Sequence, residues 1–345
     1  MLRNTLVLVL GLTLAAPAFA DDLKIRLPVE KYTLPSGLTV LLHEDHTVPM
    51  VSYHTWYRVG SRDEQPGVTG AAHMLEHMMF KGAKKYSGKQ FDQILHANGI
   101  TNNAFTSWDY TGFFENLPSS KLELIMDMEV DRMRFLALKE EDLKSELQVV
   151  GEERRWRVDN NPMGLLREAL FSVAFTKSPY HWPVIGYMAD IQAYTPEKLR
   201  YFYDKYYVPN NAVLVLAGDF DSAKTKKLIE KYYGVLRPSP LPERTYARDP
   251  IPTKPVRKVV ESEVQTSTMM IAYPGVEAGH PDSYALDLLA GIMGSGSSSR
   301  LYKKLVYQEQ IATSANSHNL TNAAPGLVLF SMALKPGQNE ASAET

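Results

Sequence analysis

The segment Gly70–Gly82, GAAHMLEHMMFKG, sets two imidazoles and a carboxylate into a run of methionine, leucine and phenylalanine. Burying it is costly unless those polar groups find partners, so this stretch constrains the fold more than any other. His73 and His77 stand at i and i+4, and on a helix both rings leave one face about one turn apart. Glu76 directly precedes His77. One reading is a helix whose histidines pack internally. The other is two donors to a single tetrahedral ion, with Glu76 reaching a water on that ion. A divalent cation would supply the partner that the first reading lacks.

The rest of the composition narrows the chemistry. The 345 residues include no cysteine, which excludes disulfides and leaves histidine and carboxylate as the ligands for any transition metal. With 37 basic and 39 acidic residues and no basic run, nothing points to nucleic acid. Residues 1–20, MLRNTLVLVLGLTLAAPAFA, place Arg3 before an apolar run and end on Ala18-Phe19-Ala20. That is the pattern of a secretory signal peptide, so an exported, periplasmic protein with its mature chain starting at Asp21 is expected. No later segment approaches the roughly 18 apolar residues that a membrane-spanning helix needs.

Residues 25–42 read as two strands joined at Pro35-Ser36-Gly37, and Met50–Ser61 as another strand. Thr69 is the expected cap of the helix carrying the histidines, and Ser87 opens a second helix that Gly99 stops. NNAFTSWDYTGFFENLP has strand chemistry. Helical spacing then runs through Ser119–Leu138 and Lys139–Val158, broken at Asn160-Asn161-Pro162, with further helices at Met163–Thr176 and Pro196–Tyr206. AVLVLAGDF is a short buried strand followed by the helix SAKTKKLIEKYYG. A proline-rich stretch follows, after which strand, helix, helix recur. The expected fold class is α+β, with two homologous sandwich lobes of mostly antiparallel sheet packed against helices, the second apparently incomplete. The expected division is 21–235 for the domain with the metal site, 236–256 for the linker and 257–345 for a partial second domain without metal ligands.

A catalytic zinc site needs a third protein ligand and an open position. In KSELQVVGEERRWRVD, Glu146 and Glu153 lie seven residues apart on one side of a helix, while Glu152 points about 100° away. A solvated acidic face is the ordinary reading; the spacing shows only that Glu146 and Glu153 are able to face a metal together. HMLEH is the order of inverted zinc-peptidase motifs. Together with the glutamate of GEERR, NNAFTSWDYTGFF, SPYHWPVIGY, YYVPNNAVLVLAGDF and GSGSSSRLYKKL, it makes the chain resemble the pitrilysin-type (M16, inverzincin) zinc metallopeptidases. This is the family of insulin-degrading enzyme and the mitochondrial processing peptidase, and it includes bacterial exported members. The resemblance runs from Leu27 nearly to the end, in family order.

That resemblance implies one zinc ion per chain, held by His73, His77 and Glu153, with Glu76 as general base and Glu146 orienting the site from behind the ligands. It also implies that Asn103, Ala104 and Phe105 accept an extended peptide along a strand edge. From the residues alone, an ordinary internal strand fits that segment equally well. Family members that act alone carry an arginine and a tyrosine seven residues apart in the second half; here Val306 and Thr313 stand at those positions. Arg300 and Tyr307 share the spacing but sit earlier. The reading is therefore a zinc endopeptidase that cleaves peptides or unfolded segments as the zinc-bearing subunit of a heterodimer, a related subunit supplying the Arg/Tyr pair. The alternatives are a non-catalytic scaffold subunit of the same fold and a peptide-binding protein with a structural metal. His43, His46, His54, His96, His181, His280 and His318 show no ligand spacing and read as surface or packing residues.

Overall fold

The computed structural model describes residues 27–338 and 340–344, so the expected signal peptide and the start at Asp21 lie outside the described residues. Strands β1 (Glu30–Thr33) and β2 (Thr39–Glu44) form a hairpin turned by Gly37 at φ 83°, a left-handed geometry that favours glycine. Strand β3 (Met50–Tyr57) buries Val51, Tyr53, Thr55 and Tyr57 on one face. Next come helix α1 (Ala71–Met78), with the two histidines, and α2 (Gly88–Ala97), capped as expected by Ser87 in reciprocal contact with Gln90. The aromatic stretch becomes a hairpin of β4 (Thr101–Thr106) and β5 (Thr111–Pro118).

Helices α3 (Leu122–Phe135), α4 (Glu140–Arg154), α5 (Pro162–Ala174), α6 (Met188–Gln192) and α7 (Pro196–Tyr206) follow in an unbroken helical block. Strand β6 (Ala212–Gly218) and helix α8 (Ser222–Tyr233) complete the lobe. The sheet has the order β1-β2-β6-β3-β5-β4, with β2 and β6 parallel and the other pairs antiparallel. Because β6 inserts between β2 and β3, the last strand of the lobe sits in the middle of the sheet and draws the whole segment into one core. Among the described residues strand β4 is an outer strand paired only with β5, so the reading of NNAFTS as internal does not hold there.

The core between sheet and helices encloses a charged group. Arg132 on α3 is 3% exposed and donates to Glu115 of β5 at 2.9 Å and to Glu129 at 2.7 Å, its guanidinium 4.5 Å from the Phe113 ring centre. Burial and the nearby Glu129 push the Glu115 pKa up, and the arginine opposes them.

Residues 237–267 form no helix or strand. The linker is nevertheless strapped down: Tyr246 donates to Asp63 at 2.7 Å, and Asp249 accepts from the Lys177 and Ser178 amides at 2.7 and 3.0 Å. Beyond it, β7 (Thr268–Pro274), α9 (Ser283–Gly294), β8 (Ala312–Leu320) and β9 (Leu327–Leu334) form a three-stranded antiparallel sheet of order β7-β9-β8 with its helix. The expected helix in SSSRLYKKLVYQE is a wider π turn over Tyr302–Gln308. Sequence reading named neither β8 nor β9. A carboxylate joins the two parts: Asp109 pairs with Arg62 at 2.7 Å and accepts from the Tyr180 hydroxyl at 2.7 Å and the Ala323 amide at 2.8 Å. Phe171, Phe175, Tyr180 and Leu327 pack beside it.

Replacing Arg132 with Met would leave two buried carboxylates facing each other. Removing one partner of such a cluster costs about 3–5 kcal/mol, and urea unfolding of Arg132→Met should show a loss of that size.

Candidate metal centre

Helix α1 begins where polar backbone meets a buried carboxylate. Thr69 does not cap it, contrary to expectation: its hydroxyl donates to Asp190 at 2.6 Å and accepts from the Tyr187 amide at 3.0 Å. Glu64 takes the role instead, accepting from the Gly70 amide at 2.7 Å and the Ala72 amide at 2.9 Å. Sequence reasoning missed it because the cap lies six residues before Gly70. Gly70 has φ 87°, and a Cβ there would come within 2.4 Å of the Ile185 carbonyl oxygen. Gly186, at φ 85°, faces it with the same close approach to the Thr69 carbonyl, 2.2 Å from where a Cβ would stand. Two glycines therefore let the 183–187 loop reach the start of α1. Arg154, the last residue of α4, donates to the Gly186 carbonyl at 2.8 Å and fixes α4 against the same loop.

So positioned, the two helices bring three donors together. The Glu153 Oε2 atom lies 3.3 Å from Nε2 of His77 and 3.6 Å from Nε2 of His73. All three donor atoms fall within 4.8 Å of one another. Donors bound at about 2.0–2.1 Å to a tetrahedral ion stand about 3.3–3.4 Å apart, so the spacing suits a zinc-sized dication. Glu153 Oε2 is buried and, among the described residues, faces no donor other than the two imidazoles, as an atom reserved for a cation would. Its other oxygen pairs with Arg157, one turn on, at 3.0 Å.

Glu146 points at the same ring from behind. Its Oε1 lies 2.8 Å from His77 Nδ1, which leaves Nε2 turned toward Glu153, and Lys81 pairs with its Oε2. Glu152, as expected, faces away and pairs with Arg155. After Arg154 the helix widens into a π turn over Arg155–Asp159, which carries Arg157 at the edge of the site.

Glu76 is mostly buried and accepts from the Thr106 hydroxyl of β4. Burial raises its carboxyl pKa, and the Thr106 bond partly offsets that. A cavity of about 440 Å³ is lined by His73, Glu76, His77 and Glu153 on one side and by Asn103, Ala104, Phe105 and Thr106 on the other. The three substrate-strand residues inferred from the sequence thus border the same space as the metal donors. On the outer strand, the Ala104 amide donates to its neighbour Asn103 Oδ1 at 2.9 Å. Thr106, Lys81 and Arg157 were missed; only Arg157 had a signal, its i+4 spacing from Glu153. Neither Val306 and Thr313 nor Arg300 and Tyr307 line this cavity.

The comparisons with known proteins agree with this geometry. Residues 39–186 match the profile described as Insulinase (Peptidase family M16), and residues 193–345 the one described as Peptidase M16 inactive domain. The zinc protease PqqE of Helicobacter pylori is 34% identical over 338 residues, 95% of this chain and 74% of that protein. This chain belongs to peptidase family M16. An uncharacterized zinc protease of Streptomyces coelicolor is 28% identical, covering 90% of this M16 chain and 68% of its own length. A crystal structure of a protease from Helicobacter pylori superposes with a TM-score of 0.87 at 34% identity, over 92% of this chain and 77% of that one. All donor residues of the M16 site fall in the first matched segment; the segment matched to the inactive domain contributes none.

The electrostatics of the metal-free site set its response to pH. Burial and the neighbouring His77 pull His73 down to about 4, so it is neutral in ordinary buffers. Burial also acts against charge on His77, but its contacts with Glu146 and Glu153 prevail and lift it to about 9. At neutral pH one proton therefore sits on the Glu146–His77–Glu153 array, where a dication would have to displace it. Zinc added to the metal-free chain near pH 7 should release about one proton, and affinity should climb with pH until it levels off near 9. Calorimetry in buffers of different ionisation enthalpy would measure both. Glu146→Gln should weaken zinc binding about 10–100-fold in a chelator competition, with helix content unchanged.

Proposed function

We propose that this chain is a zinc-dependent endopeptidase acting on peptides or unfolded polypeptide segments. The observation that carries this reading is the convergence of His73, His77 and Glu153 within 4.8 Å, in a cavity shared with Glu76 and the outer strand β4. Bound there, zinc would polarise a peptide carbonyl and make a water molecule acidic enough to lose its proton near neutral pH.

The remaining chemistry falls to side chains. Glu76 is a half-buried carboxylate of raised pKa lining the cavity, suited to take that proton and pass it to the leaving amine. Thr106 holds it by one oxygen, leaving the other free to act. Strand β4 offers an unpaired edge on which an extended peptide adds through backbone hydrogen bonds, with Asn103, Ala104 and Phe105 as the contacting residues. Because Thr106 belongs to that strand and touches the base, the added peptide would run directly beside Glu76. Glu146 keeps the His77 ring oriented.

Two further elements belong to the proposal. With Val306 and Thr313 outside the cavity and no Arg/Tyr pair lining it, a related subunit would provide the groups that hold the developing oxyanion. The chain would act in the periplasm, exported by residues 1–20, with 21–235, 236–256 and 257–345 as catalytic domain, linker and second domain.

Glu76→Gln should retain zinc while peptide cleavage falls at least about 100-fold, as the loss of a general base predicts. Cleavage by the parent chain should rise when it is co-expressed with a relative carrying the Arg/Tyr pair. A zinc-loaded chain that cleaves nothing in either setting would instead be the scaffold subunit.

A further inference from the structure

A second, larger cavity of about 880 Å³ opens between the two lobes and shares Thr106 and Arg157 with the metal cavity. It is bounded by α5 and the π turn on one side and by β7, β8 and β9 on the other. An extended chain laid along β4 would leave the strand near Thr106, where the two cavities meet.

The charge lining the larger cavity is one-sided. Its single carboxylate is Glu168, and both of its oxygens are already held by Arg154, at 3.0 and 3.3 Å. Arg157 is committed to Glu153. Arg167 differs: among the described residues it has neither an ion-pair partner nor a hydrogen bond. Its guanidinium lies 5.7 Å from the ring centre of Trp108 and 5.6 Å from that of Phe171, two rings stacked within 2° of parallel. Arg167 is exposed as a residue, but the atoms packed around its guanidinium lower its pKa, and no carboxylate opposes that shift. Arginine held by aromatic rings, with its hydrogen-bonding fork unused, is well suited to take a carboxylate by paired hydrogen bonds. The two rings flank the guanidinium, and its donors have no partner among the described residues.

We propose that Arg167 binds a carboxylate of the peptide lying in the interlobe cavity, either an acidic side chain or the chain terminus, and so selects which peptides this site accepts. The inference rests on the peptidase reading for the path of the peptide, but not on hydrolysis itself.

The test uses the full chain carrying Glu76→Gln, so that bound peptide stays intact. Fluorescence anisotropy would follow labelled unstructured peptides that carry Glu, Gln or Lys at one position moved stepwise along the sequence, each with a free or an amidated C-terminus. At one register, or at the free terminus, the carboxylate should bind about tenfold more tightly than its neutral counterpart, in line with a charge-assisted pair. Dependence on the side chain assigns the acidic residue, and dependence on amidation assigns the terminus. Arg167→Gln should abolish the preference, Arg167→Glu should reverse it toward Lys, and Arg167→Lys, which keeps the charge but loses the paired hydrogen bonds, should keep only a small part of it. Affinity for the Gln peptide, unchanged across these variants, reports that the cavity has kept its shape. An equal carboxylate preference in Arg167→Gln, or no preference in the parent, overturns the proposal. Cleavage by the parent without charge preference counts against this inference alone. Charge-selective binding without cleavage counts against the hydrolase reading alone, and a chain that binds none of the peptides overturns both.

Discussion

Three ionisable side chains are gathered in a partly buried space between α1 and α4, and the cost of that arrangement governs the lobe around it. Buried imidazoles and carboxylates need partners. Here the partners come from a helix more than sixty residues away, so α1 and α4 must be held in one orientation to within a fraction of an ångström. The Glu64 carboxylate at the start of α1, the facing Gly70 and Gly186, and Arg154 at the end of α4 all serve that alignment. None of them touches the donor atoms. They set the positions of the two helices, and the helices set the donors.

The second consequence concerns the sheet. Strand β4 could have been buried or paired on both sides, but the insertion of β6 beside β2 and β3 builds the sheet from the middle and leaves β4 at the rim. There its inner end meets α1 through Thr106 and Glu76. A strand edge open to pairing and a buried carboxylate therefore form two walls of one cavity. A free edge is ordinarily a liability for a folded protein; in the proposed function it would be where a polypeptide lies.

The two lobes are joined by chemistry as well as by the strapped linker. Asp109 sits in the turn between β4 and β5, bonded at once to Arg62 in its own lobe and to the Ala323 amide beyond β8. The tip of the β4–β5 hairpin is thus fastened to the loop between β8 and β9, beside the interlobe cavity. Arg167 lines that cavity without an ion-pair partner among the described residues, while Arg154 and Arg157 beside it are paired.

Much of this was legible in one dimension. The i, i+4 histidines, the seven-residue spacing of Glu146 and Glu153, the Ser87 cap and the broken helix at Asn161-Pro162 depend on helical periodicity and local backbone bonding, which act over a few residues. Resemblance then supplied the roles of the glutamates, which spacing alone left open. Other features had no local signature. Thr69 looks like a cap by residue type, yet Asp190, more than a hundred residues away, claims its hydroxyl and leaves the helix start to Glu64. Strands β8 and β9 are weakly patterned and acquire their form by pairing with each other and with β7. The sequence by itself determined which groups are able to bind a dication and on which helical faces they lie. Only the tertiary structure decided that Glu153 meets the two imidazoles, that Thr106 holds Glu76 and that Arg167 meets no carboxylate among the described residues, because each depends on where elements distant along the chain come to rest.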